Sequence, residues 1–190
     1  FDQAISMDPK NYDRLIEIYE ALADYGYREV GQEYLQNVLD TAKQLDAYDS
    51  GRIYYYLGDY QKAYLALEEA KGKGGVDSYL YLGKAYAATG DYNYASSVYS
   101  NYLSNQGPDA EIYNQLGLCE LAKKDYQKAL EAFQAGKQIE GNSLMQTLSF
   151  NEIVAYEYLQ DYQKAAVLLN AYLQNYPDDQ AAIREQQFLS

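Results

Sequence analysis

Gly58-Asp59-Tyr60-Gln61-Lys62-Ala63 decides the fold, because it comes back three times. It returns as Gly90-Asp91-Tyr92-Asn93-Tyr94-Ala95, as Lys124-Asp125-Tyr126-Gln127-Lys128-Ala129 and as Gln160-Asp161-Tyr162-Gln163-Lys164-Ala165. The tyrosines follow one another at steps of 32, 34 and 36 residues. One element that recurs every thirty-odd residues marks an array built by stacking a single small unit.

The chemistry of the stretch is that of a turn between two helices. A Gly just past a helix takes the left-handed conformation without a Cβ clash. The Asp after it accepts hydrogen bonds from the free amides that open the next helix. The ring folds back on the first helix, and the Ala three residues on lets the two helices approach.

Composition narrows the function. The chain has 190 residues, of which 48% are hydrophobic, with 25 Tyr, 4 Phe and no Trp. Tyr buries a large ring but must place its hydroxyl, which suits a thin two-layer array. Lys and Arg number 15 against 28 Asp and Glu, a net charge of −13. The basic residues are scattered singly or in pairs such as Lys123-Lys124, so neither nucleic acid nor a polybasic membrane contact is expected. No apolar run approaches the length of a transmembrane span. One Cys cannot make an internal disulfide, and no His is present to act as general base or metal ligand. No enzyme, cofactor or metal site is expected. Cys119 falls where neighbouring units carry Ala85 and Ala155, and reads as core.

Outward from the turns, the segmentation is regular. Residues 1–10 read as the end of a preceding unit, with Phe1, Ala4 and Ile5 at helical spacing and Asp8-Pro9 as the stop. The units are then 11–44, 45–76, 77–109, 110–142 and 143–177, and 178–190 forms a terminal or next-repeat helix. Asn11, Asp77, Asp91 and Asp109 are expected as caps. Lys71-Gly72-Lys73-Gly74-Gly75 and Gly141-Asn142-Ser143 are breaks. Leu15, Ile18, Tyr19 and Leu22 make one inward stripe. The chain opens on Phe1 rather than Met, so a preceding leader or anchor is expected, with either a cytoplasmic or an exported, anchored location.

In the third unit the pattern Tyr79-x2-Leu82-Gly83-x2-Tyr86, then Ala95-x3-Tyr99, resembles the tetratricopeptide repeat (TPR). The fourth unit has Tyr113-x2-Leu116-Gly117 and Ala129-x3-Phe133, the second Gly51-x2-Tyr54 and Ala63-x3-Leu67, the fifth Tyr156, Ala165-x3-Leu169 and Pro177. Phe1 and Pro9 are spaced like the motif's last two residues. Glu120 stands in place of a first-helix Tyr, and Gly75 and Gly141 in place of Pro. Tyr102 and Tyr172 occupy a site usually held by Ala, so their rings should loosen local packing or reach toward the next unit. The resemblance covers essentially the whole chain. It implies an all-α fold, a right-handed α-solenoid of stacked antiparallel helix hairpins, with about five units plus partial terminal helices.

The resemblance also implies a concave face lined by first helices. Positions not used by the motif map it to Tyr48, Arg52, Tyr55 and Tyr56, then Tyr81 and Lys84, then Asn114, Gln115 and Leu118, then Phe150, Asn151 and Tyr158. Rings beside amides suit an extended peptide: amides pair with its backbone and rings take its apolar side chains. The Lys, Asn and Arg set with which family members hold a peptide's C-terminal carboxylate is incomplete here, so binding of chaperone tails is not expected. Asp13, Glu17, Glu20 and Asp24 form one acidic stripe, read as a solvated face or as a dock for a basic segment. The expectation is a non-catalytic scaffold for a protein or extended peptide, acting as a monomer or a weak end-to-end homodimer. The alternative is a ligand- or carbohydrate-contacting module of an exported or surface-anchored bacterial protein.

Overall fold

A computed structural model of the chain describes Gln3, Asp8 and residues 10–189. The reading of residues 1–10 rests on Phe1, Ala4, Ile5 and Pro9, which lie outside the described residues. Eleven helices are found among the described residues, and no strand. They are α1 Tyr12–Asp24, α2 Arg28–Thr41, α3 Ala47–Leu57, α4 Tyr60–Ala70, α5 Val76–Ala88 and α6 Tyr92–Asn105. There follow α7 Ala110–Ala122, α8 Tyr126–Lys137, α9 Met145–Tyr158, α10 Tyr162–Asn175 and α11 Gln180–Leu189. They form two compact units that divide between Thr89 and Gly90, the first holding α1–α5 and the second α6–α11.

The repeated stretch takes one backbone shape in all four copies. The residue before Asp has φ 82° at Gly58, 85° at Gly90, 64° at Lys124 and 63° at Gln160. Asp59, Asp91, Asp125 and Asp161 each accept a hydrogen bond from the backbone N–H three residues on, at 3.3, 3.0, 3.4 and 3.0 Å. The backbone N–H groups of Asp59, Asp125 and Asp161 in turn donate to the carbonyls of Tyr54, Glu120 and Tyr156. One helix is thus closed and the next opened by a two-residue turn.

Between paired helices the spacing is set by small residues. Ala63 and Leu67 of α4, and Ala129 and Phe133 of α8, are wholly buried. A Cβ on Gly51 of α3 would fall 2.5 Å from Leu67 Cγ, and one on Gly117 of α7 would fall 2.3 Å from Phe133 Cε1. The large side chain of each second helix therefore lies directly on the backbone of the first. In the first unit the core gathers Leu15, Ile16, Tyr19, Leu35 and Ile53. In the second it gathers Leu130, Phe133 and Leu148, then Ile153, Leu169 and Ala182.

Helix starts differ from the sequence reading in two places. α3 begins at Ala47, not Leu45, because Asp46 accepts from the Asp49 N–H at 2.8 Å and caps it. Asp77 does not cap α5: the helix starts at Val76 behind Gly75 at φ 62°, and Asp77 lies in the first turn. The loop before it is tied by the buried Ser78 hydroxyl, which accepts from Gly72 N–H and donates to the Gly75 carbonyl. Asn11 and Asp109 cap α1 and α7 as expected. Tyr172 is buried, and its hydroxyl donates at 2.5 Å to Asp179, whose carboxylate also caps α11. No described helix is long and apolar enough to cross a membrane.

Candidate functional site

In the first unit, α3 and α5 present the aromatic face. Tyr55, Tyr56 and Tyr81 meet edge to face, with centroids 5.4, 5.7 and 5.9 Å apart in the three pairings. Tyr19 of α1 closes on Tyr56 at 5.1 Å, and Tyr60, the turn tyrosine, on Tyr55 at 5.7 Å. Tyr56 donates its hydroxyl proton to Glu20 Oε1 at 2.5 Å. Its oxygen lies 3.0 Å from that of Tyr81. A hydroxyl has one proton, so Tyr81 is the donor in that second bond. Burial, then the bonds to Glu20 and Tyr81, hold the Tyr56 hydroxyl well above its ordinary pKa. Burial is the leading cause of a raised pKa at both Tyr55 and Tyr81. The rings are therefore neutral and fixed. Beside them opens a cleft of about 430 Å³ lined by Glu20, Asp24, Arg28, Tyr55, Tyr56 and Tyr60.

Arg52 is placed differently from its neighbours on the same face. It is only 7% exposed. Its Nη1 meets Asp13 and its Nη2 meets Asp49, both at 2.5 Å. The guanidinium stacks 4.3 Å from the Tyr48 ring centroid. Burial opposes its charge, but the hydrogen bonds to Asp49 and Asp13 outweigh it and hold Arg52 above its ordinary value. Burial pushes the Tyr48 hydroxyl up to about 12, against the pull of Arg52. The Tyr48 ring also lies where a Cβ on Gly74 would fall, 2.6 Å from Cε2. Tyr48 and Arg52 thus work as internal struts that join α1, α3 and the loop before α5.

The acidic stripe is divided by these contacts. All four residues are exposed, but Asp13 pairs with Arg52 and Glu20 accepts from Tyr56. Lys84 is half-buried on α5.

In the second unit, buried Asn114 of α7 accepts from the Asn151 amide of α9 at 2.9 Å. Gln115 donates to Glu111, one turn back. Leu118 is exposed. Phe150 packs toward Tyr172 at 5.7 Å. Tyr158 stacks on the turn residue Tyr126 at 4.9 Å and is 54% exposed.

Sequence reasoning overlooked Tyr60, because it was assigned wholly to the turn, and did not single out Asp49. It also overlooked two buried carboxylates. Glu152 meets Lys137 at 2.6 Å and Gln134 at 2.8 Å, and Glu120 meets Lys123 at 2.8 Å. A signal was present at Glu120, which replaces the motif's tyrosine. Cys119 is buried, and burial, then the Glu120 charge, push its thiol up to about 12, which leaves it unreactive. Among the described residues no group of side chains is arranged to hold a metal ion.

These features define an all-α helical-repeat solenoid, whose first unit carries a tyrosine cluster on α3 and α5. Two family models described as Tetratricopeptide repeat match residues 80–143 and 150–179. The chain belongs to the tetratricopeptide-repeat proteins. No match was found among curated proteins. Among solved structures, a thermophilic TPR protein of Thermus thermophilus superposes with a TM-score of 0.69 at 16% identity, covering 94% of this chain and 98% of that one. YrrB, a TPR protein described as having an unusual peptide-binding site, gives 0.63 at 20% identity over 98% and 97% of the two chains. The second TPR domain of human RPAP3, solved with the HSP70 peptide SGPTIEEVD, gives 0.51 at 17% identity over 56% of this chain and 88% of that one. At these identities the likeness is one of fold.

Proposed function

We propose that the chain is a non-catalytic scaffold that binds extended peptide segments of other proteins on its first-helix faces. In the first unit the face is Tyr55, Tyr56, Tyr81 and Lys84; in the second it is Gln115, Leu118, Asn151 and Tyr158. The observation that carries the reading is the tyrosine cluster of α3 and α5. Half-buried rings pinned by neighbours and by hydroxyl bonds offer contact area with little ordering left to do on binding. The peptide complex of the RPAP3 domain and the description of YrrB support the same use of this fold. Arg52 is not assigned to the peptide: its charge is already matched by Asp13 and Asp49.

Selection from a random display library, followed by fluorescence polarisation with the selected peptides, tests this. Tyr56→Ala with Lys84→Ala is expected to weaken them about tenfold or more, the scale of a central aromatic anchor. Far-UV circular dichroism checks that the variant stays folded. Full affinity in the folded variant refutes the choice of face.

A further inference from the structure

We propose that the cleft beside the tyrosine cluster of the first unit is a cation box that seats the side chain of an arginine or lysine from a bound peptide. The proposal rests on the peptide-binding reading and names the residue that the partner must present.

The shape of the cleft comes from the rings. Tyr55 stands at 80° to Tyr56 and at 55° to Tyr60, so they form walls at a corner and not one flat platform. A sugar ring wants an open flat face with hydroxyl partners around it. Here the Tyr56 hydroxyl proton is already committed to Glu20, and the Tyr81 proton to Tyr56. What the corner offers instead is the negative faces of aromatic rings, the site at which cations are held.

Charge completes the fit. Glu20 and Asp24 lie at the same cleft, and both are exposed on the last turns of α1. Glu20 takes a hydrogen bond on Oε1 from Tyr56, and its second carboxylate oxygen can accept another from a ligand. A planar guanidinium can lie on one ring and donate to a carboxylate at its edge. Arg28 supplies the cleft's own positive charge, one against two carboxylates, from an exposed position. It competes with an incoming cation and would favour an incoming anion. That opposition makes Arg28 the discriminating position. The net charge of −13 draws basic partners toward the chain as a whole, which sharpens association without choosing the site.

The test is an NMR titration that follows tyrosine ring signals of the whole chain. The probes are three Gly/Ser peptides that differ only in the central residue: Arg, citrulline (the same shape without charge) and Glu. The Arg peptide is expected to shift the Tyr55 and Tyr60 signals and to bind about tenfold more tightly than the citrulline peptide. Glu20→Gln, which keeps an oxygen to accept from Tyr56, and Asp24→Asn should each weaken it about threefold or more, with circular dichroism checking that each variant stays folded. Arg28→Gln should strengthen it by about twofold.

Equal binding of Arg and citrulline, or a preference for Glu, overturns the cation box and leaves the peptide-binding reading standing. Weaker binding in Arg28→Gln overturns it as well. If no peptide moves the rings, both readings of this face fail. Shifts with maltotriose alone overturn both in favour of a sugar.

Discussion

Lys124 and Gln160 hold the left-handed backbone that Gly58 and Gly90 hold in the other two copies of the turn, with φ 64° and 63° against 82° and 85°. A residue with a Cβ is expected to lose about 1–2 kcal/mol there. Glycine recovers that strain but has more freedom to lose from the unfolded chain, about 0.4–1 kcal/mol. The difference leaves Lys124→Gly and Gln160→Gly each more stable by about 0.5–1 kcal/mol, or roughly 1–4 °C in Tm. The turns are separate, so the pair should add. The reverse changes, Gly58→Ala and Gly90→Ala, should cost a similar amount. Nothing lies within 4 Å of a Cβ built at either glycine, so the loss is one of backbone conformation and not of packing. Thermal melts and urea titrations of the four single variants and the Lys124→Gly/Gln160→Gly pair measure this. Destabilisation by Lys124→Gly together with a neutral Gly58→Ala would refute the reasoning, because conformational strain would then not be what separates the copies.

Gly117→Ala should be destabilising although Ala is the better helix former by about 1 kcal/mol. The new Cβ lands 2.3 Å from a Phe133 ring that is wholly buried, and overpacking of that kind costs about 1–3 kcal/mol. Adding Phe133→Leu should recover part of the loss in urea titrations; strictly additive losses sink the steric account. Burial, then the Glu185 carboxylate, push the Glu157 carboxyl up to about 7 from an ordinary 4.5. The folded chain therefore keeps a proton that the unfolded chain gives up, and this contribution to stability is complete below pH 4.5 and is lost as pH rises toward 7. Glu157→Gln should flatten that part of a Tm-against-pH curve, and parallel curves for the two proteins would show that Glu157 does not titrate this way.

The turns were legible because they are local. An Asp that caps a helix needs only the amide three residues on, so Asp59, Asp91, Asp125 and Asp161 could be read from the string alone. So could Gly51 and Gly117, whose place opposite Leu67 and Phe133 follows from the motif's register. Asp77 shows where locality stops. It is a good cap by type, yet the start of α5 is set by the glycine conformation at Gly75 and by the Ser78 hydroxyl bridging the loop. No propensity of Asp77 itself reports either.

Positions for a face could be proposed from the string, but not which of their groups are already paired. Arg52 has the right position and the right type for a ligand contact. A guanidinium removed from water must find counter-charges, however, and it finds them in Asp13 and Asp49. The same pairing relieves the acidic stripe, where like charges one turn apart repel. Its relief comes from α3, as Arg52 to Asp13 and Tyr56 to Glu20, at separations of 39 and 36 residues. In the second unit Asn151 reaches Asn114 across 37. These offsets lie close to the repeat length itself. In a stacked array, equivalent first helices are neighbours, so a side chain on one finds its partner about one repeat away. The repeat period is therefore a ruler for the site as well as for the fold. A first-helix charge that meets an opposite charge about one repeat away belongs to the scaffold, as Arg52 does with Asp13.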